Sequence, residues 1–293
     1  MERTKWIGKW VLSWIVFVVI FSIGGILFPM SPEVTAKIGV EDAKYMMLAL
    51  VVVTLSISFL VNYLITSSNV NGVQLYGAML VLTWGIQTFM TQVETMVFIK
   101  AFPDLDTFGV IKIIMSQLFI FALYLRIPIL MYGKWKRNNE ELKAALVLKS
   151  KWYLWIPAII VAYVILYFSF GLFPMSFQAT KEYYAAWISS TDAGGGLKLL
   201  FIQIVRSLLW LICIFPLFFI LKGSKEKKIV LAAIVMGVFT SFQLMFPNGL
   251  MPPVVRFGHF VEVFSEMLIF GALIAWMLVP EDNKNLHNNQ LKN

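Results

Sequence analysis

Cysteine and histidine are nearly missing from this 293-residue chain, which has one Cys, at position 213, and two His, at 259 and 287. A single thiol excludes an intramolecular disulfide and any cysteine-built metal cage. Charge is scarce as well: Asp, Glu, Lys and Arg make up 14% of residues against 59% hydrophobic ones, where soluble domains carry about 25% and 45–50%. With a mean hydropathy of +0.79, a soluble globular fold is excluded. Walker-type phosphate loops, dinucleotide glycine fingerprints, Gly-x-Ser-x-Gly elbows and His-Glu-x-x-His pairs are all missing. Neither ATP hydrolysis nor a soluble catalytic domain is indicated, and no cofactor is expected. Alternating β-barrel patterning is also missing.

What the chain has is eight strongly apolar stretches, each about twenty residues or more, the length a helix needs to cross a bilayer. They run Trp10 to Phe28, Met46 to Ile65, Val73 to Phe98, Phe108 to Tyr132, Trp152 to Phe173, Leu197 to Leu221, Ile229 to Phe246 and Phe257 to Val279. The expected fold is therefore an all-α, polytopic membrane bundle of eight spans. The first stretch follows Arg3, Lys5 and Lys9 but is too long for a signal-peptide core, so it reads as an uncleaved span.

The net charge of +8 is better explained by topology than by nucleic acid, which would require a basic patch on a soluble face. With both termini cytoplasmic, fifteen of the 24 Lys and Arg fall in the head, the 133–151 linker, the 222–228 turn and the tail. That asymmetry predicts a plasma-membrane protein with an inside N-terminus and C-terminus. The lipid bilayer is the one partner the composition demands, and no motif specifies an oligomeric state.

Two sets of matches suggest an internal duplication. Lys9-Trp10 and Leu27-Phe28-Pro29-Met30-Ser31 recur as Lys151-Trp152 and Leu172-Phe173-Pro174-Met175-Ser176. Ser116-Gln117-Leu118-Phe119-Ile120-Phe121 recurs as Ser265-Glu266-Met267-Leu268-Ile269-Phe270, at an offset of 149 residues. Chance recurrence of Phe, Leu and Pro at membrane borders is the alternative. The order of the matches predicts a tandem 4+4 repeat: residues 1–132 and 152–280 as four-helix units, 133–151 as a cytoplasmic linker with a short helix capped by Asn139, and 281–293 as a cytoplasmic tail. Two units of even span number share one orientation, as in transporters with parallel repeats.

A charge at mid-bilayer costs about 2.5–3.5 kcal/mol on insertion scales, so it faces a partner, a cavity or water. Glu94, Lys112, Arg206, Glu262 and Glu266 all fall in the outer half of their spans. Arg256, His259, Glu262 and Glu266 share an arc of roughly 120° on span eight at about 100° per residue. Gln87, Thr91 and Glu94 form a stripe on span three, and Gln203, Arg206, Ser207 and Trp210 form one on span six. Four polar faces, on spans three, four, six and eight, predict a shared cavity toward the outer face. Glu94, Lys112, Arg206, Arg256, His259, Glu262 and Glu266 are then the substrate-binding or coupling residues, with Gln87, Thr91, Gln203, Trp210 and Asn248 as lining. The alternative is a set of buried ion pairs that match helices to one another, Arg206 with Glu262 or Glu266 and Lys112 with Glu94. A metal held by His259, Glu262, Glu266 and Glu94 is a weaker reading, because Arg206 and Arg256 would repel it.

The loop from Ser176 to Leu197 carries Lys181-Glu182-Tyr183-Tyr184-Ala185-Ala186-Trp187-Ile188 and suits a helix lying at the headgroups, with a lid as the alternative. The stretch Phe246 to Pro253, rich in proline and glycine, reads as a re-entrant lining or a plain turn. Three functions compete: transport or binding of a small polar, anionic or lipid-linked solute, with Arg206, Lys112 and Arg256 selecting an anion; an intramembrane enzyme acting on a lipid-linked substrate; or a non-catalytic membrane subunit or sensor.

Overall fold

The computed structural model describes residues 3–29, 31–102, 104–136, 148–189 and 195–281. The linker helix expected at Asn139, and the tail from 282 onward with His287, lie outside the described residues. Among those residues the structure is helical throughout, with one isolated backbone bridge, Ser68 to Leu221. Among the described residues seven helices are long and apolar enough to cross a membrane, which makes the chain a multi-pass membrane protein.

The elements are α1 (Arg3–Leu27), α2 (Pro32–Ala36), α3 (Val40–Ser67), α4 (Gly72–Leu80), a π-helical segment (Val81–Phe89), α5 (Met90–Val97), α6 (Thr107–Tyr124), α7 (Arg126–Met131), α8 (Ile156–Gly171), α9 (Gln178–Ser189), α10 (Gly195–Ile220), α11 (Lys225–Ser241) and α12 (Pro253–Leu278). The 25 residues of α1, at about 1.5 Å each, exceed a hydrocarbon core of roughly 30 Å. Apolar side chains on α1 and α8 point outward, among them Ile15, Val19, Ile23, Val161 and Ile165. Bulk lipid is the solvent these faces require.

Local chemistry sets where helices start and stop. Ser31 caps α2, accepting from Val34 N at 3.3 Å, and Pro32 follows in the first turn. Asp106 caps α6, accepting from Gly109 N at 2.7 Å, and Ser224 caps α11. These side chains satisfy amides that would otherwise lack partners. The fourth stretch divides between α6 and α7 because the Pro128 ring collides with the carbonyl four residues back, which belongs to Tyr124, the last residue of α6. Gly271 lets α12 approach the α11 backbone closely, since a β-carbon there would lie 2.4 Å from the Ala232 carbonyl oxygen.

Helix α1 packs on α3 and on α6–α7, while α8 packs on α10 and α12. The π segment and α5 pack on α6, as α11 packs on α12. Between these groups, α10 meets the π segment and α11 meets both α3 and the π segment. One apolar core runs from Phe17 to Val279, and a smaller cluster of Ala101, Phe102, Tyr184 and Val255 closes the end of the bundle away from the chain termini.

Candidate functional site

At that far end lies a cavity of about 430 Å³, walled by α5, α8, α9, α12 and the ends of α10 and α11. Its polar lining includes Thr91, Gln92, Glu94, Tyr184, Gln243, Asn248, His259 and Glu262.

Glu94 reaches the wall because the third apolar stretch is not a uniform α-helix. Through Val81–Phe89 the turns widen, and Met90 N bonds to Gly85 O, five residues back. Such π turns recur at functional sites because they rotate the residues that follow. Gly85 sits against Cys213 of α10, where an added β-carbon would be 3.1 Å from the sulfur. The close contact brings Arg206 of α10 alongside Glu94. Arg206 Nη2 donates to Glu94 Oε2 at 2.9 Å and Nη1 to Glu94 Oε1 at 3.3 Å, with a further bond from Nη1 to Gln203 Oε1 at 2.9 Å. The guanidinium lies 5.6 Å from the centre of the Tyr167 ring, a cation–π geometry. Below it, Trp210 Nε1 donates to Tyr163 Oη at 3.2 Å, and Tyr163 Oη to Gln203 Oε1 at 3.4 Å. The Arg206 side chain is 2% exposed and that of Glu94 34%, so the pair joins the dry interior to the cavity.

The second cluster is built on α12, where a three-residue spacing stacks His259 over Glu262. His259 Nδ1 lies 2.6 Å from Glu262 Oε2, and His259 Nε2 lies 3.0 Å from Tyr184 Oη on α9. An ionised carboxylate only accepts, so Nδ1–H donates to Glu262; Nε2 accepts from the phenol when the ring is neutral and donates to its oxygen when the ring is protonated. Burial holds the Tyr184 hydroxyl well above its ordinary range, which keeps the phenol protonated as that donor. Tyr183 Oη donates to the Leu250 carbonyl at 2.7 Å. Helix α9 thus packs against the cavity wall. The 246–252 stretch also borders it: Asn248 Oδ1 accepts from Leu250 N and Met251 N, at 3.0 and 2.9 Å, and Gly249 abuts the Val34 carbonyl.

One turn deeper than Glu262, Glu266 is 2% exposed, and its Oε1 has no hydrogen-bond partner among the described residues. It stands within electrostatic reach of Glu262, Glu94 and Arg206. Gln87 is buried behind the wall, and its Oε1 has no partner among the described residues. Of the expected residues, Thr91, Glu94, Asn248, His259 and Glu262 line the cavity, while Arg206, Gln203, Trp210 and Glu266 lie behind it.

Two expected members are placed elsewhere. Lys112 Nζ donates to the Pro29 carbonyl at 2.8 Å, near the far end of α1, instead of pairing with Glu94. A cation so near a helix end satisfies itself at the interface. Arg256 pairs with Asp42 at 3.3 Å and bonds to the Met251 carbonyl at 3.4 Å. Neither contributes to the cavity lining, so the anion-selecting trio of Arg206, Lys112 and Arg256 is not assembled. Among the described residues, no three His, Cys, Asp or Glu side chains gather as a metal would require. Sequence reading missed Tyr163, Tyr167, Gln243 and the role of Tyr184. The four-residue spacing of Tyr163 and Tyr167 inside an apolar helix was the signal that could have found them. No known protein family, curated protein or solved structure matches the chain.

Proposed function

We propose that this chain is a plasma-membrane binding or transport protein whose cavity opens on the outer face and takes a small solute with both polar and apolar parts. The observation that carries this reading is the cavity itself, with Glu94, His259 and Glu262 at its wall and the α9 helix docked over it. Sites of this kind are concave, mostly apolar and furnished with a few convergent polar groups.

The proposed scaffold is a tandem 4+4 bundle of eight spans, with α4, the π segment and α5 together forming the third. Corresponding packings support it: α1 on α3 and α8 on α10, α1 on α6–α7 and α8 on α12, α10 on the π segment and α11 on α3. Lys9 Nζ donates to the Met131 carbonyl at the end of the fourth span, and Lys149 Nζ to the Trp276 carbonyl near the end of the eighth. The turns after the second and sixth spans meet in the Ser68–Leu221 bridge, where Asn69 N donates to Ile220 O at 2.9 Å. Thr91 and Glu94 have Thr240 and Gln243 as counterparts at the 149-residue offset, and all four line the cavity. A site at a repeat interface has that character. Basic residues at the terminal end support an outward orientation for the cavity.

The enzyme reading has one observation in its favour, the aligned Glu262, His259 and Tyr184. The Tyr184 bond also fastens α9 to α12 beside the cavity, however, a role that requires no reaction. Binding is the better account.

The test is thiol accessibility. In a Cys213→Ala background, Thr95→Cys places one thiol on the cavity wall. A membrane-impermeant maleimide applied to intact cells should label it from outside. Labelling only from the cytoplasmic side, or no labelling while an outer-loop control cysteine reacts, would refute the proposal.

A further inference from the structure

We infer that the cavity selects an organic cation, an amine or quaternary ammonium carried on an apolar body. This deepens the binding reading and rests on it.

The first ground is charge. Glu94 and Glu262 line the cavity, and Glu266 lies one turn further down α12 with an unpartnered oxygen. Against these three carboxylates stand Arg206 and His259. Both terminal nitrogens of Arg206 are already committed to Glu94 and Gln203, and its face is covered by Tyr167. Lys112 and Arg256 are held elsewhere by Pro29 and Asp42. Counting only the two carboxylates that line the cavity, Glu94 and Glu262, against Arg206, an anion would enter a site whose formal charge is negative with His259 neutral. A cation enters a field that low-dielectric walls concentrate.

The second ground is the wall itself. Phe98, Phe102, Phe168 and Tyr184 line the cavity, and Phe98 meets Tyr184 edge to face at 6.0 Å between ring centres. Aromatic faces beside carboxylates are the surroundings in which quaternary ammonium groups are recognised. The third ground is size: about 430 Å³ admits a small aromatic or alkyl body along with its ammonium head.

The experiment uses the full chain in lipid nanodiscs and three probes of similar size: benzyltrimethylammonium, benzoate and benzyl alcohol. The ammonium should bind saturably by titration calorimetry and slow maleimide labelling of Thr95→Cys, a variant that leaves every charge in place. Benzoate and benzyl alcohol should do neither. Glu262→Gln should weaken ammonium binding about tenfold, and Phe98→Leu by about three- to tenfold. Equal or stronger protection by benzoate or the alcohol, or no protection by any probe, overturns the cation inference while reachable Thr95→Cys leaves the binding reading standing. If Thr95→Cys cannot be reached at all, the binding reading itself fails.

Discussion

Replacing Glu94 with Gln tests the central electrostatic contact most directly. The substitution keeps the shape and one acceptor oxygen but removes the charge that neutralises Arg206. Arg206 is 2% exposed and cannot recover that loss from water. One of its two bonds to Glu94, at 2.9 and 3.3 Å, loses its acceptor. Charge-assisted bonds contribute about 1.5–3 kcal/mol each, and stranding one member of a buried pair costs about 3–5 kcal/mol. Because Gln203 and Tyr167 still contact the guanidinium, the expected cost lies near the lower bound, about 3 kcal/mol. Arg206→Met should cost less, about 1–2 kcal/mol, because the Glu94 side chain is 34% exposed and can rehydrate in the cavity. The double variant should then be more stable than the sum of the singles by at least about 1.5 kcal/mol. Reversible unfolding in mixed micelles, followed by tryptophan fluorescence, measures all four corners of the cycle. Additivity within about 0.5 kcal/mol would refute the reasoning, as would a Glu94→Gln variant as stable as the parent.

Two further outcomes are expected. Gly271→Ala should destabilise the bundle by about 1–3 kcal/mol through overpacking against the α11 backbone, whereas Gly25→Ala, with open space around it, should be neutral or slightly stabilising in the same unfolding assay. Tyr184→Phe removes the 3.0 Å contact with His259, worth about 1 kcal/mol; labelling of Thr95→Cys should speed up about fivefold, and an unchanged rate would show that α9 does not cover the site.

The apolar stretches were legible because a lipid-crossing helix leaves a long hydrophobic run in the sequence; their ends match the helices to within a few residues at most positions. The third was legible as a run but not in its geometry. A 100° wheel assumes α turns, and Val81–Phe89 does not have them. Periodicity also fixes a side chain's direction on its own helix without naming the helix it meets. The ion-pair alternative therefore sets Arg206 beside Glu262 or Glu266, yet its terminal nitrogens reach Glu94 and Gln203. Lys112 shows the same limit from the other side: its depth was readable, but the Pro29 carbonyl comes from a turn distant in sequence. Tyr163 and Tyr167 escaped notice because tyrosine in an apolar run reads as a membrane anchor, and only tertiary packing reveals that their rings adjoin Gln203 and Arg206.

The backbone bridge at Ser68 and Leu221 ties together the connectors that follow the second and sixth spans, and Lys134 Nζ adds a strap to the Ser68 carbonyl at 2.9 Å. The proposed halves are stitched at the terminal face, while the opposite mouth is bordered by α9 and by the 246–252 stretch. If those halves pivot like a clothes-peg about the stitched end, a small rotation there opens widest where the solute would enter, and severing the stitch would remove that leverage without touching the site.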